Sequence, residues 1–273
     1  MFVLDTHCDT PSQILRLRDL AVDNHHAHVD FPKLRRGGVD GVFFALYVPA
    51  SMDTEEAMAY AEKMLVGVKK SVSENADIVA FACSHKEAVV NKENSRTSIF
   101  LGLENGSPIG HSLERLHYFH DNGVRYVTLC HSADNQICDS CASAVKKWGG
   151  LSPFGRELVS EMNRIGMLVD VSHASDDTFY DVLECSSSPV VATHSCCRAL
   201  CDHPRNMTDE MIRALAQAGG VIQINFYPLF LDGGFRKILH ESGISERGER
   251  IESEFIADPG NPDKRAAWNA VQD

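Results

Sequence analysis

The chain has 273 residues, 44% hydrophobic and 23% charged, an ordinary globular composition with enough apolar material for one large core. A formal charge of −12 argues against nucleic acid as a partner and leaves no basic patch for a membrane surface. No run approaches the ~20 apolar residues of a membrane span, no signal peptide is recognisable, and the nine cysteines are odd in number and scattered, so a reduced, cytoplasmic protein is expected.

Phe2 to Thr6 reads as a short buried strand that carries His7 and Asp9 to its C-terminal edge. Side chains two apart on a strand share a side, so one imidazole and one carboxylate together form half a coordination sphere. Alone, such a triplet is common and decides nothing. Pro11 to Leu20 suggests a short helix burying Ile14, Leu15 and Leu17. His25, His26 and His28 follow in a stretch without any period, which reads as a solvated loop rather than a metal site. Val42 to Val48 is a continuous apolar run closed by Pro49, as a parallel strand covered on both faces requires. Asp53 or Thr54 caps a helix to about Ser73, Asp77 to Ala82 is an accessory strand, and Ser84 caps the next helix.

From there strand and helix alternate. Ser98 to Glu104 is a strand ending in a carboxylate, and Ser112 opens a helix to Asn122 that Gly123 stops. Arg125 to His131 is a strand ending in a histidine. The loop after it holds Cys138-Asp139-Ser140-Cys141, a C-x-x-C without a second pair at zinc-finger spacing, read as reduced thiols. A helix over Pro153 to Arg164 stops at Gly166, and Met167 to His173 is the next strand. Asp176 or Asp177 caps a helix to Cys185, Pro189 to His194 is a strand, Thr208 caps a helix, and Val221 to Phe226 is a last strand. Such alternation means an α/β fold, a parallel (β/α) barrel with helices outside.

Five of these strands end in a ligand type or a polar catalytic group: His7 with Asp9, Glu104, His131, His173 and His194. In a (β/α) barrel the C-terminal strand ends meet on one face, where active sites form. Any one histidine there is more simply a packed residue. Five together are not, because buried charge without a partner is costly. His7, Asp9, Glu104, His173 and His194 suit two divalent ions with Glu104 as the bridge. Nitrogen and oxygen ligands without thiolate favour zinc, with manganese or iron as alternatives.

The motifs His7-Cys8-Asp9, Gly102-Leu103-Glu104-Asn105-Gly106, Leu129-Cys130-His131-Ser132, Asp170-Val171-Ser172-His173 and Thr193-His194-Ser195 resemble, in order and spacing, those of the membrane (renal) dipeptidases, peptidase family M19 of the amidohydrolase superfamily. His203-Pro204-Arg205-Asn206 is similar to the family's segment after the last histidine, and the likeness runs from residue 2 to about residue 228. The resemblance implies a (β/α)8 TIM barrel whose two zinc ions hydrolyse dipeptides through a bridging hydroxide. His7 and Asp9 would hold one ion, His173 and His194 the other, with Glu104 between them. His131 would polarise the scissile carbonyl, Arg205 would hold the substrate carboxylate, and Tyr227 would be a second carboxylate contact. A homodimer is a further expectation from the family.

Counting barrel strands gives seven, and residues 232–273 read as a polar tail of the single domain, leading towards a final strand that the chain lacks. Within that tail a helix near Glu249 to Ile256 and a turn at Pro259-Gly260 are expected. The family's acid-base aspartate on its last strand has no match here; Asp258, Asp263 and Asp273 lack a preceding strand. Two alternatives therefore stand beside the dipeptidase reading: another hydrolase of the same superfamily, and a shortened homologue that binds metal with little turnover.

Overall fold

The computed structural model describes residues 1–243, 247–248, 250–251, 254, 258 and 261–270. Among them are eight strands: β1 (Leu4–Cys8), β2 (Gly41–Tyr47), β3 (Val79–Phe81), β4 (Thr97–Glu104), β5 (Val124–Thr128), β6 (Leu168–Asp170), β7 (Val191–Ser195) and β8 (Val221–Ile224). The helices are α1 (Pro11–Leu15), α2 (Phe31–Arg36), α3 (Thr54–Glu74), α4 (His85–Glu93), α5 (Leu113–Asp121), α6 (Pro153–Ile165), α7 (Asp176–Cys185), α8 (Asp209–Gln217), α9 (Pro228–Leu231), α10 (Gly233–Ser242) and α11 (Pro262–Ala270).

All strand pairs are parallel, in the order β1-β2-β4-β5-β6-β7-β8. These seven strands curl into a nearly closed barrel with helices outside, an incomplete (β/α) TIM barrel. β3 is accessory, as its sequence suggests. It pairs with Thr97–Ile99 of β4, below the stretch Leu101–Glu104 of the same edge that pairs with β5. Among the described residues no ladder joins β8 to β1. Thr6 reaches across instead, donating to the Thr193 carbonyl at 2.9 Å and meeting the Gln223 side chain.

β2 and β4 are buried on both faces, which is why their sequences run apolar without alternation. α3 covers them with Ala57, Ala61, Met64, Leu65, Val68 and Val72, a stripe at helical spacing. Its start is a capping box between Asp53 and Glu56, worth about 1 kcal/mol. α6 ends at Gly166 in the left-handed conformation, φ 76°.

Several expected boundaries move. The first helix stops at Leu15, because Leu17 adopts φ 62° and turns its side chain to solvent instead of the core. α7 is capped by Ser175, whose hydroxyl accepts from the Thr178 amide at 3.1 Å; Asp176 and Asp177 occupy the first turn, where negative charge favours the helix dipole. β5 and β6 end three residues before His131 and His173, so both histidines sit on the loops that follow. α9, α10 and α11 stand in the segment read as a polar tail and its approach. The helix expected near Glu249 to Ile256 and the turn at Pro259-Gly260 lie largely outside the described residues. No helix among those residues is long and apolar enough to cross a membrane.

Candidate metal centre

Glu104 is the last residue of β4 and only 2% exposed. Its Oε2 lies 3.2 Å from Nε2 of His7 on β1. Its Oε1 lies 3.1 Å from Nε2 of His173 and 3.4 Å from Nε2 of His194 on β7. His7 Nε2 is also 3.3 Å from Asp9 Oδ1, and the Nε2 atoms of His173 and His194 are 3.0 Å apart. The five residues singled out from the sequence are thus brought together at the C-terminal mouth of the barrel. Asn105 and His173 both adopt left-handed backbone angles, φ 73° and 71°, just past β4 and β6. For His173 this is an uncommon conformation, of the sort retained where a functional side chain must be aimed. The Cys141 amide donates to its carbonyl at 2.8 Å and ties it to the long loop after β5.

The donor set suits divalent cations. Three imidazole nitrogens and the carboxylates of Glu104 and Asp9 form two groups, Glu104-His173-His194 and His7-Asp9-Glu104, each with donor atoms within 4.8 Å of one another. Two ligands about 2.1 Å from a shared tetrahedral ion lie roughly 3.4 Å apart, close to the separations seen here. Asp170 also falls near His7 and His194. Its oxygens are already taken: Oδ1 accepts from the Ser172 amide and hydroxyl and the Thr193 amide, and Oδ2 from the hydroxyls of Thr128 and Thr193. A carboxylate so saturated is support for the site rather than a ligand.

The charges sort themselves within this cluster. Burial alone would lower the His7 pKa, but Glu104 and Asp9 outweigh it and hold the imidazole well above its ordinary value. Burial pushes His173 down to about 3, helped by the Arg205 charge, and holds His194 well below 6.5 with the His7 charge adding. Burial would raise Glu104; the surrounding imidazoles, His7 first, keep it well below the usual carboxylate range.

A cavity of about 1210 Å³ opens over the cluster, and His131, Arg205 and Tyr227 line it. The His131 ring packs between Tyr47 and His173, with centroids 4.8 and 4.3 Å away, and burial lowers its pKa. Its Nδ1 is buried without a partner among the described residues. Arg205 is 7% exposed; Nη2 donates to the His194 carbonyl at 3.0 Å, while Nε and Nη1 have no partner among the described residues. Tyr227 caps α9 at the rim and is half exposed.

The sequence reading missed the groups behind the cluster. Tyr126 Oη is 2.8 Å from His7 Nδ1, and Thr193 Oγ1 is 2.8 Å from His194 Nδ1. Asp170 and Thr193 sit inside recognised motifs, which was a signal; Tyr126 reads only as a core aromatic.

The chain matches the profile of the membrane dipeptidases, peptidase family M19, over residues 1–271. An uncharacterized dipeptidase of Schizosaccharomyces pombe is 30% identical over 246 residues, 84% of this chain and 60% of the relative. The dipeptidase aclJ of Aspergillus oryzae is 33% identical over 235 residues, 83% of this chain and 56% of the relative. The crystal structure of a Rhodobacter sphaeroides metallopeptidase, liganded with a phosphinate mimic of L-Ala-D-Ala, superposes with a TM-score of 0.79 at 26% identity, covering 85% of this chain and 75% of that one. The chain therefore spans less than two thirds of the length of the curated relatives it matches.

Proposed function

Because the chain belongs to the membrane dipeptidase family, peptidase family M19, we propose that it is a metal-dependent dipeptidase cleaving the peptide bond of small dipeptides. The observation that carries this reading is the division of Glu104. One oxygen faces His7, the other faces His173 and His194, which is the arrangement a carboxylate needs to serve two cations at once. His7 and Asp9 would hold one ion and His173 and His194 the other. Two divalent ions, zinc foremost for this donor set, would supply Lewis-acid charge and a hydroxide nucleophile near neutral pH.

The chain's own residues account for binding and polarisation. Arg205 lines the cavity with two guanidinium nitrogens that have no partner among the described residues, and a guanidinium matches a carboxylate in a bidentate manner. A substrate with a free C-terminal carboxylate would satisfy it, with Tyr227 at the rim as the second contact. His131, aimed into the same cavity, would donate to the scissile carbonyl oxygen as negative charge develops there. A dipeptide-like ligand in the Rhodobacter sphaeroides relative agrees with this substrate class. The nine cysteines are all free thiols, which suits a reducing, cytoplasmic setting.

No carboxylate from beyond β8 joins the cluster among the described residues. The deciding experiment is steady-state hydrolysis of a dipeptide panel by the zinc-loaded chain, before and after chelation. Turnover that disappears with chelator and returns with metal is expected. Full metal occupancy without hydrolysis of any dipeptide would overturn the reading in favour of a metal-binding homologue.

A further inference from the structure

We propose that Asp170, acting through the hydroxyl of Thr193, is the positioning residue that fixes the tautomer and orientation of His194. The proposal deepens the reading of His194 as a metal ligand and rests on it. Asp170 is fully buried at the end of β6, and a carboxylate can only accept. It takes five hydrogen bonds, and three of them hold the segment that carries His194. The Thr193 amide donates to Oδ1 at 3.0 Å, and the Thr193 hydroxyl to Oδ2 at 2.7 Å. The Ser172 hydroxyl donates to Oδ1 at 2.8 Å while accepting from the His194 amide at 3.1 Å.

Proton counting then settles the imidazole. A threonine hydroxyl has one hydrogen. Given to a buried carboxylate it makes a charge-assisted bond, stronger than one to a neutral ring nitrogen. Thr193 Oγ1 is left with lone pairs only towards His194 Nδ1, 2.8 Å away, so Nδ1 must carry the ring proton. Nε2 is then the free lone pair, and it is the atom that faces Glu104 and His173. The opposite tautomer would put the proton on Nε2 and turn the Thr193 hydrogen away from Asp170, removing a donor from a buried anion. Glu104 does not require that exchange, since His7 and His173 already face its two oxygens. Buried groups that hold the distal nitrogen of a ligating histidine in this way commonly account for 10- to 100-fold in metal affinity.

The test is nitrogen NMR of the metal-free chain with labelled histidine, His194 being assigned by comparison with His194→Gln. An Nδ1–H signature for His194 in the unmodified chain is expected; an Nε2–H signature overturns the proposal without recourse to any variant. Thr193→Val should lose the preference and bind zinc about 10- to 100-fold more weakly at one of its two sites, whereas Thr193→Ser should keep both properties. Thr193→Val with Nδ1–H and zinc affinity unchanged would also overturn it. The expected tautomer in a chain that hydrolyses no dipeptide supports the proposal and counts against the dipeptidase reading alone.

Discussion

The phenol oxygen of Tyr126 lies 2.8 Å from Nδ1 of His7, across 119 residues of sequence, and holds the ring at one end of the candidate metal centre. The tyrosine is fully buried and packs on Phe43, with ring centroids 5.2 Å apart. Its ring can lie there only because Gly102 on β4 has no side chain: a Cβ at that position would come within 2.1 Å of Tyr126 Cζ. Tyr126→Phe should therefore keep the fold and lose zinc affinity at the His7 end, by about 10- to 100-fold. Gly102→Ala should cost more, destabilising by about 1–3 kcal/mol through overpacking as well as displacing the phenol. Equilibrium denaturation and zinc titration of the two variants separate these effects. Equal zinc affinity in Tyr126→Phe and the parent would remove Tyr126 from the site.

The proposed ligand set makes a quantitative demand. Elemental analysis of chelator-free protein should approach two ions per chain, and His173→Ala should lose one of them. His173 contacts only the Oε1 side of Glu104, so the ion at the His7 and Asp9 side should survive. Unchanged metal content in His173→Ala would defeat the assignment.

A second electrostatic expectation lies far from the site, between α5 and α6. Hydrogen bonds from Arg164 first, and contact with His117, draw Glu161 down to about 2. A carboxylate whose folded pKa is depressed contributes stability above its unfolded value of 4.5, and that contribution fades as pH falls towards 2. The Tm difference between the parent and Glu161→Gln should shrink as pH falls through this window. A difference that grows on acidification would show that the pairing is absent in solution.

What could be read from the sequence follows from which interactions are local. β2 and β4 were legible because burial on both faces demands an unbroken apolar run. That His7, Glu104 and His194 would gather was legible because barrel strands deliver their ends to one face. That His131 and His173 stand on loops was not, because β5 and β6 end at Thr128 and Asp170 and His173 takes a left-handed turn that few side chains adopt. The partnership of Tyr126 with His7 was hidden for a different reason. It joins β5 to β1, and its enabling feature is an absent side chain on a third strand. Leu17 shows the same limit in miniature: its apolar character fits a helical stripe, yet the backbone turns it outward.

Arg205 offers the sharpest test of substrate class. A guanidinium that is 7% exposed, with two of its nitrogens lacking partners among the described residues, sits in a costly state until an anion arrives. Its surroundings limit what that anion is. The Phe230 ring lies 5.3 Å from the guanidinium carbon and Nη2 is held by the His194 carbonyl, so the guanidinium stands at the cavity wall in a fixed position. Arg205 lines the same cavity as Glu104, His173 and His194, so on the proposed reading a carboxylate held there would bring its adjoining peptide bond towards the cluster, whereas a C-terminal amide supplies no charge to match. The parent should therefore prefer dipeptides to their C-terminal amides, and Arg205→Ala should weaken dipeptide use by about 2–5 kcal/mol in kcat/KM while leaving the amides nearly unaffected. Arg205→Lys restores charge without the fork and should recover only part of the loss. Measuring kcat/KM for one dipeptide and its amide in all three proteins decides the matter: parallel losses on both substrates would mean that Arg205 supports the fold of the β7 loop and does not read the carboxylate.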